Sequence, residues 1–510
     1  MSGDGPGARE YEEPEQSELL KVRRAKLDRY AEKGVEPYRS HYARPGELEL
    51  SSKLHADNES LVAGEGSGHR AAVAGRLTAR RQHGKATFAD LQDSGGKIQL
   101  ILRQDVLGDE GYGEFGELDI GDWIGAAGEV ARSRRGELSI AVESFELLSK
   151  SLRPLPEKWH GLKDREQRYR QRYLDLLMNE EARGVLKART RVVAEVRRFL
   201  DERGFLEVET PMLHPIPGGA TARPFVTHHN ALGMDLYLRI APELYLKRLL
   251  VGGYDRVYEL NRNFRNEGIS SRHNPEFTML EAYVAFVDYH YMMELLQDMV
   301  TTVVSRVTGG TTVESAGRTI SLEPPWKTVT MLESLEEYAG LKVDLSMDRG
   351  LLEKMAADNE VEVPRNAGNG WIIAELYEKL VEPRLFEPTF VLFYPEEISP
   401  LARRNPDMPG FTERFEILVA GQEIANAFSE LTNPIEQRAR FEAQAAKRAA
   451  GDEEAHVVDE DFLTALEYGM PPAGGLGLGI DRLTMLVTGS RNIRDVIIFP
   501  HLRPAHGRST

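Results

Sequence analysis

Hydrophobic and polar positions follow two different rhythms along this chain. Within 65–150, apolar residues recur every second position in short runs: AAVAGRLTAR, KATFADLQD, GGKIQLILR, DWIGAAGEVARS and GELSIAVESFELL. A two-residue period sends side chains to alternate faces of a strand. Five such runs separated by glycine-bearing turns predict a small closed β-barrel. Beyond residue 179 the period lengthens. Leu186, Val193, Val196 and Leu200 share one helical face that stops at Gly204. Upstream of the barrel, Leu19, Leu20, Leu27, Tyr30 and Ala31 share a face of a helix predicted from Glu15 to Lys33. Lys21, Arg23, Arg24, Lys26 and Arg29 surround that face, and Gly34 ends the helix. Such a helix is either a solvated surface element or a basic arm that touches RNA.

These rhythms divide the chain into four parts. A tail and basic amphipathic helix occupy 1–64, the Gly- and Glu-rich first fourteen residues being expected to be disordered. The barrel occupies 65–150. A proline- and charge-bearing linker spans 151–178. A larger unit of mixed helices and strands fills 179–510, with a helical insertion near 345–385. The fold class is therefore α+β. At 510 residues the chain exceeds one ordinary core, which agrees with this division. Acidic residues number 81 against 64 basic, a net charge of −17. That balance argues against a protein that coats nucleic acid, and no DNA partner is expected. A local exception lies between His69 and Lys85, where Arg70, Arg76, Arg80, Arg81 and Lys85 occur with no acid between them. The absence of cysteine rules out disulfides and thiolate metal sites. No secretory leader and no apolar run long enough to span a membrane occurs, so a cytoplasmic protein is expected.

The densest chemistry lies in NRNFRNEGISSRHNPEFTMLEAY, 261–283. Read as a hairpin, its outgoing strand carries Arg265 and Glu267. Its return strand puts Phe277, Met279, Glu281 and Tyr283 on one face. An arginine fork suits a phosphoryl group and a phenyl ring suits a stacked base, so the hairpin is chemically fit for ATP. An ordinary amphipathic hairpin with surface ion pairs fits the same pattern. No GxxxxGK[ST] loop is present. GGLGLGIDRL, 474–483, alternates glycines along a strand that something approaches closely, or that simply packs tightly, and it leads into a helix bearing Arg482.

FRNE followed by RHNPEFTMLEAY resembles motif 2 of the class II aminoacyl-tRNA synthetases. GGLGLGIDRLTML resembles motif 3, and RRFLDERGFLEVETPML, 197–213, resembles motif 1. A barrel ahead of such a domain is similar to the group charging lysine, aspartate and asparagine. The segments from Ile216 to Gly253, containing APELYLK, and EIANAFSELTNP, 423–434, resemble the bacterial lysyl-tRNA synthetase family. The resemblance runs from about residue 15 to 504.

It implies an OB-fold anticodon-binding barrel followed by a class II catalytic domain with a mixed, largely antiparallel sheet. It also implies L-lysine, ATP, Mg²⁺ and tRNA(Lys) as ligands, and a homodimer built on motif 1. By resemblance, Arg265 meets the α-phosphate and Phe277 stacks on adenine, with Glu267 and Asn274 near the base. Arg272, His273 and Arg482 meet the outer phosphates, and Glu416 and Glu423 hold Mg²⁺. Arg265 and Arg482 are the catalytic cations. For lysine, Glu243 holds the α-ammonium, and Glu430 with Tyr283 holds the ε-ammonium, with Glu281 nearby. Asn426 and Phe428 complete the pocket, Gly219 sits at its edge, and Arg265 borders it. In the barrel, Arg76, Phe88 and Gln99 meet the U-rich anticodon. Taken alone, Phe88 is equally a core residue. A non-catalytic RNA-binding paralogue would be expected to have damaged motifs, and a protein-lysylating paralogue would be expected to lack the barrel.

Overall fold

The computed structural model describes residues 14–156, 162, 164–365, 367–449, 451 and 455–503. The first thirteen residues, where most of the tail expected to be disordered falls, lie outside that set. The chain forms two compact units, 1–161 and 162–510.

In the first unit five strands close a barrel: β1 (Gly66–His83), β2 (Ala86–Gln92), β3 (Lys97–Arg103), β4 (Trp123–Arg132) and β5 (Leu138–Ser149), in the order β1-β2-β3-β5-β4. The two-residue period is visible in burial. On β2, Thr87, Ala89 and Leu91 point inward, and on β3, Ile98, Leu100 and Leu102 do. The interior is a packed apolar core rather than a channel. The N-terminal helix, α1 (Pro14–Glu32), is not a free arm. Arg23 is buried, and its guanidinium donates to the carbonyls of Ser151, Arg153 and Ile120. Lys26 bonds Asp119 at 2.8 Å and the Glu117 carbonyl at 2.9 Å. Two of the basic residues that could have served RNA therefore fix the helix to its own unit.

The second unit is built on an eight-stranded sheet. Its strands are β6 (Leu206–Glu207), β7 (Arg256–Phe264), β8 (Glu276–Ala285), β9 (Lys327–Thr330), β10 (Thr389–Leu392), β11 (Arg414–Val419), β12 (Gln422–Ser429) and β13 (Ala473–Gly479). They lie in the order β9-β10-β11-β12-β13-β8-β7-β6, antiparallel except at the two edge pairs. Three helices cover one face: α2 (Glu180–Asp201), α3 (Tyr289–Thr308) and α4 (Ile480–Thr488). Val192, Val196, Phe199 and Leu200 of α2 and Met292, Leu296, Met299 and Val303 of α3 pack there. They meet Tyr258, Leu280, Ala282, Ile417, Ala425, Ala427, Leu476 and Leu478 from the sheet. Alternation then forces the intervening residues of the central strands onto the uncovered face. The stretch 151–178 is more than a connector. Helices Arg165–Arg170 and Arg172–Met178 lie within it, and buried Arg172 ties them to the second unit through Asp175 and the carbonyls of Arg494 and Ile498. Between β9 and β10, helices Arg349–Asp358 and Asn369–Leu380 pack into a satellite core.

Candidate active site

The uncovered face of the sheet can be followed residue by residue through its register. One row runs Arg414, Phe428, Gly475, Tyr283, Val257 across β11, β12, β13, β8 and β7. The next row runs Glu416, Asn426, Gly477, Glu281, Glu259. Motif 3's alternating glycines thus lie in the middle of the site face. At Gly475 a Cβ would come 2.0 Å from Glu430 Oε1 and 2.6 Å from the Tyr283 ring. The strand is bare of side chains there so that a carboxylate and a phenol can lie across it. The hairpin is shorter than alternation alone predicts. β7 ends at Phe264, but the Arg265 N–H still donates to the Pro275 carbonyl at 2.9 Å. Arg265 therefore keeps register with the site face, while Glu267 stands exposed in the connecting loop.

At one end of this face three carboxylates gather. Glu243, the first residue of helix α5 (Glu243–Val251), is buried, as are Glu281 and Glu430. Burial, then the Glu243 charge, pushes the Glu281 carboxyl up to about 8, and the Tyr283 hydroxyl donates to it at 3.1 Å. Burial also lifts Glu430 to about 8 against the pull of Lys247. Glu430 Oε1 has no hydrogen-bond partner. A buried, unpartnered carboxylate oxygen is costly unless a cationic or donor ligand meets it. Gly219, at φ +90°, passes beside Glu243, where a Cβ would lie 3.1 Å from the Glu243 Cβ. Phe428 closes the side. Asn426 spends its oxygen on Arg414 Nε at 2.8 Å.

At the other end are arginines and a second carboxylate pair. Arg265 is half-buried, stacks over Phe277 at 5.1 Å and keeps Nε unpartnered. Burial draws its pKa down, while Glu267, Glu423 and Glu281 hold it up. Glu423 reaches this face through a bulge. Leu418 pairs with Glu423 while Ile417 pairs with Ala425, so Ile424 is an extra residue. Ile424 and Ala425 both enter the core, and Glu423 turns outward to Arg482 Nη1 at 2.7 Å. Burial raises Glu423, but Arg482 outweighs it and leaves the carboxyl below its ordinary value. Glu416 is lifted to about 8 by burial and by Glu423. Arg482 Nη2 lies 3.3 Å from His273 Nε2, and Arg272 approaches Glu382 at 3.9 Å. Asn274 is buried with its Oδ1 unpartnered. Glu416 and Glu423 supply hard oxygen donors whose mutual repulsion a divalent cation would relieve, so they fit Mg²⁺. Among the described residues no group of three or more acidic or histidine side chains forms a self-contained metal cage.

Three residues escaped the sequence reading. Lys247 lies one helical turn beyond Glu243, and its ammonium is within 2.5 Å of Glu243 Oε1 and in contact with Glu430 Oε2. Arg414 bonds Asn426, Glu416 and Ser399 together. Glu382, lifted to about 7 by burial and Glu423, stands beside the phosphate end. The spacing of Glu243 and Lys247 was the one available signal, and it also describes a surface ion pair.

On the barrel, Asp90 pairs with Gln99 and Phe88 with Ile101, so Phe88 and Gln99 share a face. That face is the outer one, since the buried set is Thr87, Ala89 and Leu91; Phe88 is not core. Arg76, opposite Gln92, shares it, with its guanidinium 4.8 Å over Trp123 and bonded to the Gly121 carbonyl at 2.7 Å. The basic strip is less available than its sequence suggests. Arg70 pairs with Glu143, Arg81 reaches Asp90 at 3.6 Å, and Arg80 donates to the carbonyls of Phe115, Gly116 and Leu118.

The model of the family described as tRNA synthetases class II (D, K and N) matches residues 164–503, and that of the OB-fold nucleic acid binding domain matches 71–148. A lysine–tRNA ligase of Syntrophomonas wolfei is 55% identical over 488 residues, covering 96% of this chain and 97% of the relative. One of Carboxydothermus hydrogenoformans is 54% identical over 97% of this chain and 99% of the relative. One of Moorella thermoacetica is 55% identical over 96% and 98%.

Proposed function

Because the chain belongs to the class II tRNA synthetases and, among them, to the lysine–tRNA ligases, we propose that its sheet face activates L-lysine with ATP and passes it to tRNA(Lys). One observation carries the assignment of residues. Three buried carboxylates, one with a bare oxygen, adjoin an arginine stacked on a phenyl ring on the same face of one sheet. Glu243 takes the α-ammonium, and Glu430 with Tyr283 takes the ε-ammonium, with Glu281 beside them and Gly219, Asn426 and Phe428 as walls. A desolvated dication needs such paired negative charge, and neutral analogues would leave those carboxylates unmet.

Lysine's carboxylate is ionised at neutral pH and needs no base. One of its oxygens attacks the α-phosphorus, the bond to the bridging oxygen breaks, and pyrophosphate leaves. Arg265 stabilises the charge growing on the α-phosphoryl oxygens, and Arg482, Arg272 and His273 hold the departing phosphates. Phe277 supports the adenine, with Asn274 and Glu267 at its edge. Mg²⁺ held by Glu416 and Glu423 would supply counter-charge to the phosphates. A terminal ribose hydroxyl of tRNA then attacks the acyl carbon and AMP leaves. On the barrel, Phe88 stacks on an anticodon base while Gln99 and Arg76 read and position its neighbours.

A homodimer is supported by exposed Leu206, Met212 and Leu213, apolar residues in and beside the strand of motif 1. Among the described residues no helix is long and apolar enough to cross a membrane. The tRNA and ATP substrates suit a cytoplasmic enzyme. Amino-acid-dependent exchange of pyrophosphate into ATP, run with each of the twenty amino acids, tests the reading. Lysine alone should support rapid exchange, and equal exchange with aspartate or asparagine would overturn it.

A further inference from the structure

The lysine end of the face already contains a lysine. Lys247 is buried on α5, and its ammonium touches both Glu243 and Glu430. It also lies 5.4 Å from the centre of the Phe428 ring. A buried ammonium satisfied by two carboxylates is a rigid element, since removing either partner strands a charge away from water. We propose that Lys247 is a positioning and specificity-setting residue: its fixed ammonium clamps the Glu243 and Glu430 carboxylates at a set spacing, so that the oxygen left over on Glu430 meets the far ammonium of a diamino acid of one chain length. This rests on reading the pocket as the lysine site, and deepens it.

Three observations support the clamp. First, Glu430 uses Oε2 on Lys247 and leaves Oε1 over Gly475 with no partner, so the internal cation and an incoming one need not compete for the same oxygen. Second, Glu243 and Glu430 come from elements far apart in sequence, a helix start and the loop after β12, and Lys247 is the group that joins them. Third, without an internal cation three buried carboxylates would face one another, and neighbours of like charge resist ionising together. The charged and titratable groups around the clamp are Glu243, Glu430, Glu281, Tyr283, Arg414 and His456. Burial, then the Lys247 charge, depresses His456 to about 4, so it stays neutral and does not substitute for the ammonium.

The test uses the full-length chain with Lys247→Met, of similar length and no charge, and Lys247→Gln as a second neutral variant. The clamp requires the KM for lysine to rise on the order of 30-fold at pH 7 while the KM for ATP stays within about twofold. The rise should shrink as pH increases, because rising pH ionises the buried carboxylates that have lost the help of the Lys247 charge. The preference for lysine over ornithine in exchange should fall in parallel, because unclamped carboxylates no longer fix chain length. An unchanged KM for lysine overturns the proposal, as does an equal loss for ATP and lysine or a penalty independent of pH. Two variants that both fail to fold, judged by thermal melting, would make Lys247 purely structural and also overturn it. Glu430→Gln separates the two levels. If it too leaves the KM for lysine unchanged, the reading of the pocket fails; if it raises the KM and Lys247→Met does not, only the clamp fails.

Discussion

The two ends of the site face are both acidic, yet they handle negative charge in opposite ways. At the lysine end, Glu243 and Glu430 share the Lys247 ammonium while Glu281 accepts from the Tyr283 hydroxyl, and burial lifts Glu281 and Glu430 to about 8. At the phosphate end, Glu416 and Glu423 each have an arginine of their own, Arg414 at 2.7 Å and Arg482 at 2.7 Å. The first end is deficient in positive charge, whereas at the second each carboxylate of the pair has a cation of its own, although burial and Glu423 still lift Glu416 to about 8. A deficient, buried cluster selects a cation by the cost of leaving it unmet. A balanced and more open one can accept a polyanion together with its counter-ion without first expelling its own charges. The difference teaches that carboxylate count alone does not identify a ligand; the cations already spent on each carboxylate do.

Arg265, at the phosphate end, feels the charges of both Glu423 and Glu281. Its loss should break the comparison outright. Arg265→Ala is expected to lower lysine-dependent pyrophosphate exchange by about 10³-fold, the scale for removing a donor aimed at developing charge. Unaltered melting would show that the fold survives. A loss below about tenfold would remove Arg265 from the α-phosphate.

A reciprocal pair of variants sharpens the contrast. Glu430→Gln should raise the KM for lysine on the order of 100-fold and leave that for ATP within about twofold, because it removes a buried charge partner from one ligand alone. Glu416→Gln should do the reverse, lowering the rate of exchange by about 30-fold with little change in the KM for lysine. Initial-rate kinetics with each substrate varied separate these outcomes. Matching effects from both variants would mean that the two ends are one cluster.

The pH dependence is smaller and has a definite sign. On the proposed lysine site, Glu281 and Glu430, at about 8 in the free protein, must ionise for the pocket to hold a dication. Lysine affinity should therefore weaken as pH falls below 8, by up to about tenfold per unit for each carboxyl that must lose its proton. Because their pKa values are raised above those of the unfolded chain, these groups favour the fold at low pH and lose that contribution as pH rises from about 4.5 through 8. Added lysine should then raise the melting temperature more at pH 8.5 than at pH 6.5. Calorimetry that shows the larger gain at the lower pH would reverse the assignment.

The sheet face was legible in the sequence wherever strict alternation held. Phe277, Glu281 and Tyr283 share a face because β8 is regular, and Phe88 and Gln99 share one because the turn between β2 and β3 preserves parity. The resemblance drew Glu243, Glu416, Glu423, Glu430 and Arg482, which lie far apart in the chain, into one proposed site. Three things were not legible, each for a physical reason. Ile424 is an extra residue, and a single-residue bulge inverts facing without leaving a mark on composition. The partners of Arg80 lie 35 to 38 residues away, so a run with no acid in it looked free when its cations were already committed. Lys247 carries the i,i+4 spacing of a solvated pair, and only the arrival of Glu430 from a distant strand end makes it a buried clamp.

The barrel face supplies the smallest expected effect on either end, and so a control on the whole comparison. Phe88 lies outside the barrel core, with His83 edge-on to it at 6.0 Å, and no buried charge depends on it. Phe88→Ala should therefore leave melting and pyrophosphate exchange unchanged. Stacking of one base on an aromatic ring contributes about 1–3 kcal/mol, so the KM for tRNA in the charging reaction should rise on the order of tenfold. If exchange fell as well, the lysine and phosphate ends could not be treated as sites that assemble on the sheet without the barrel. If charging stayed the same, the anticodon would have to be read elsewhere than on this face.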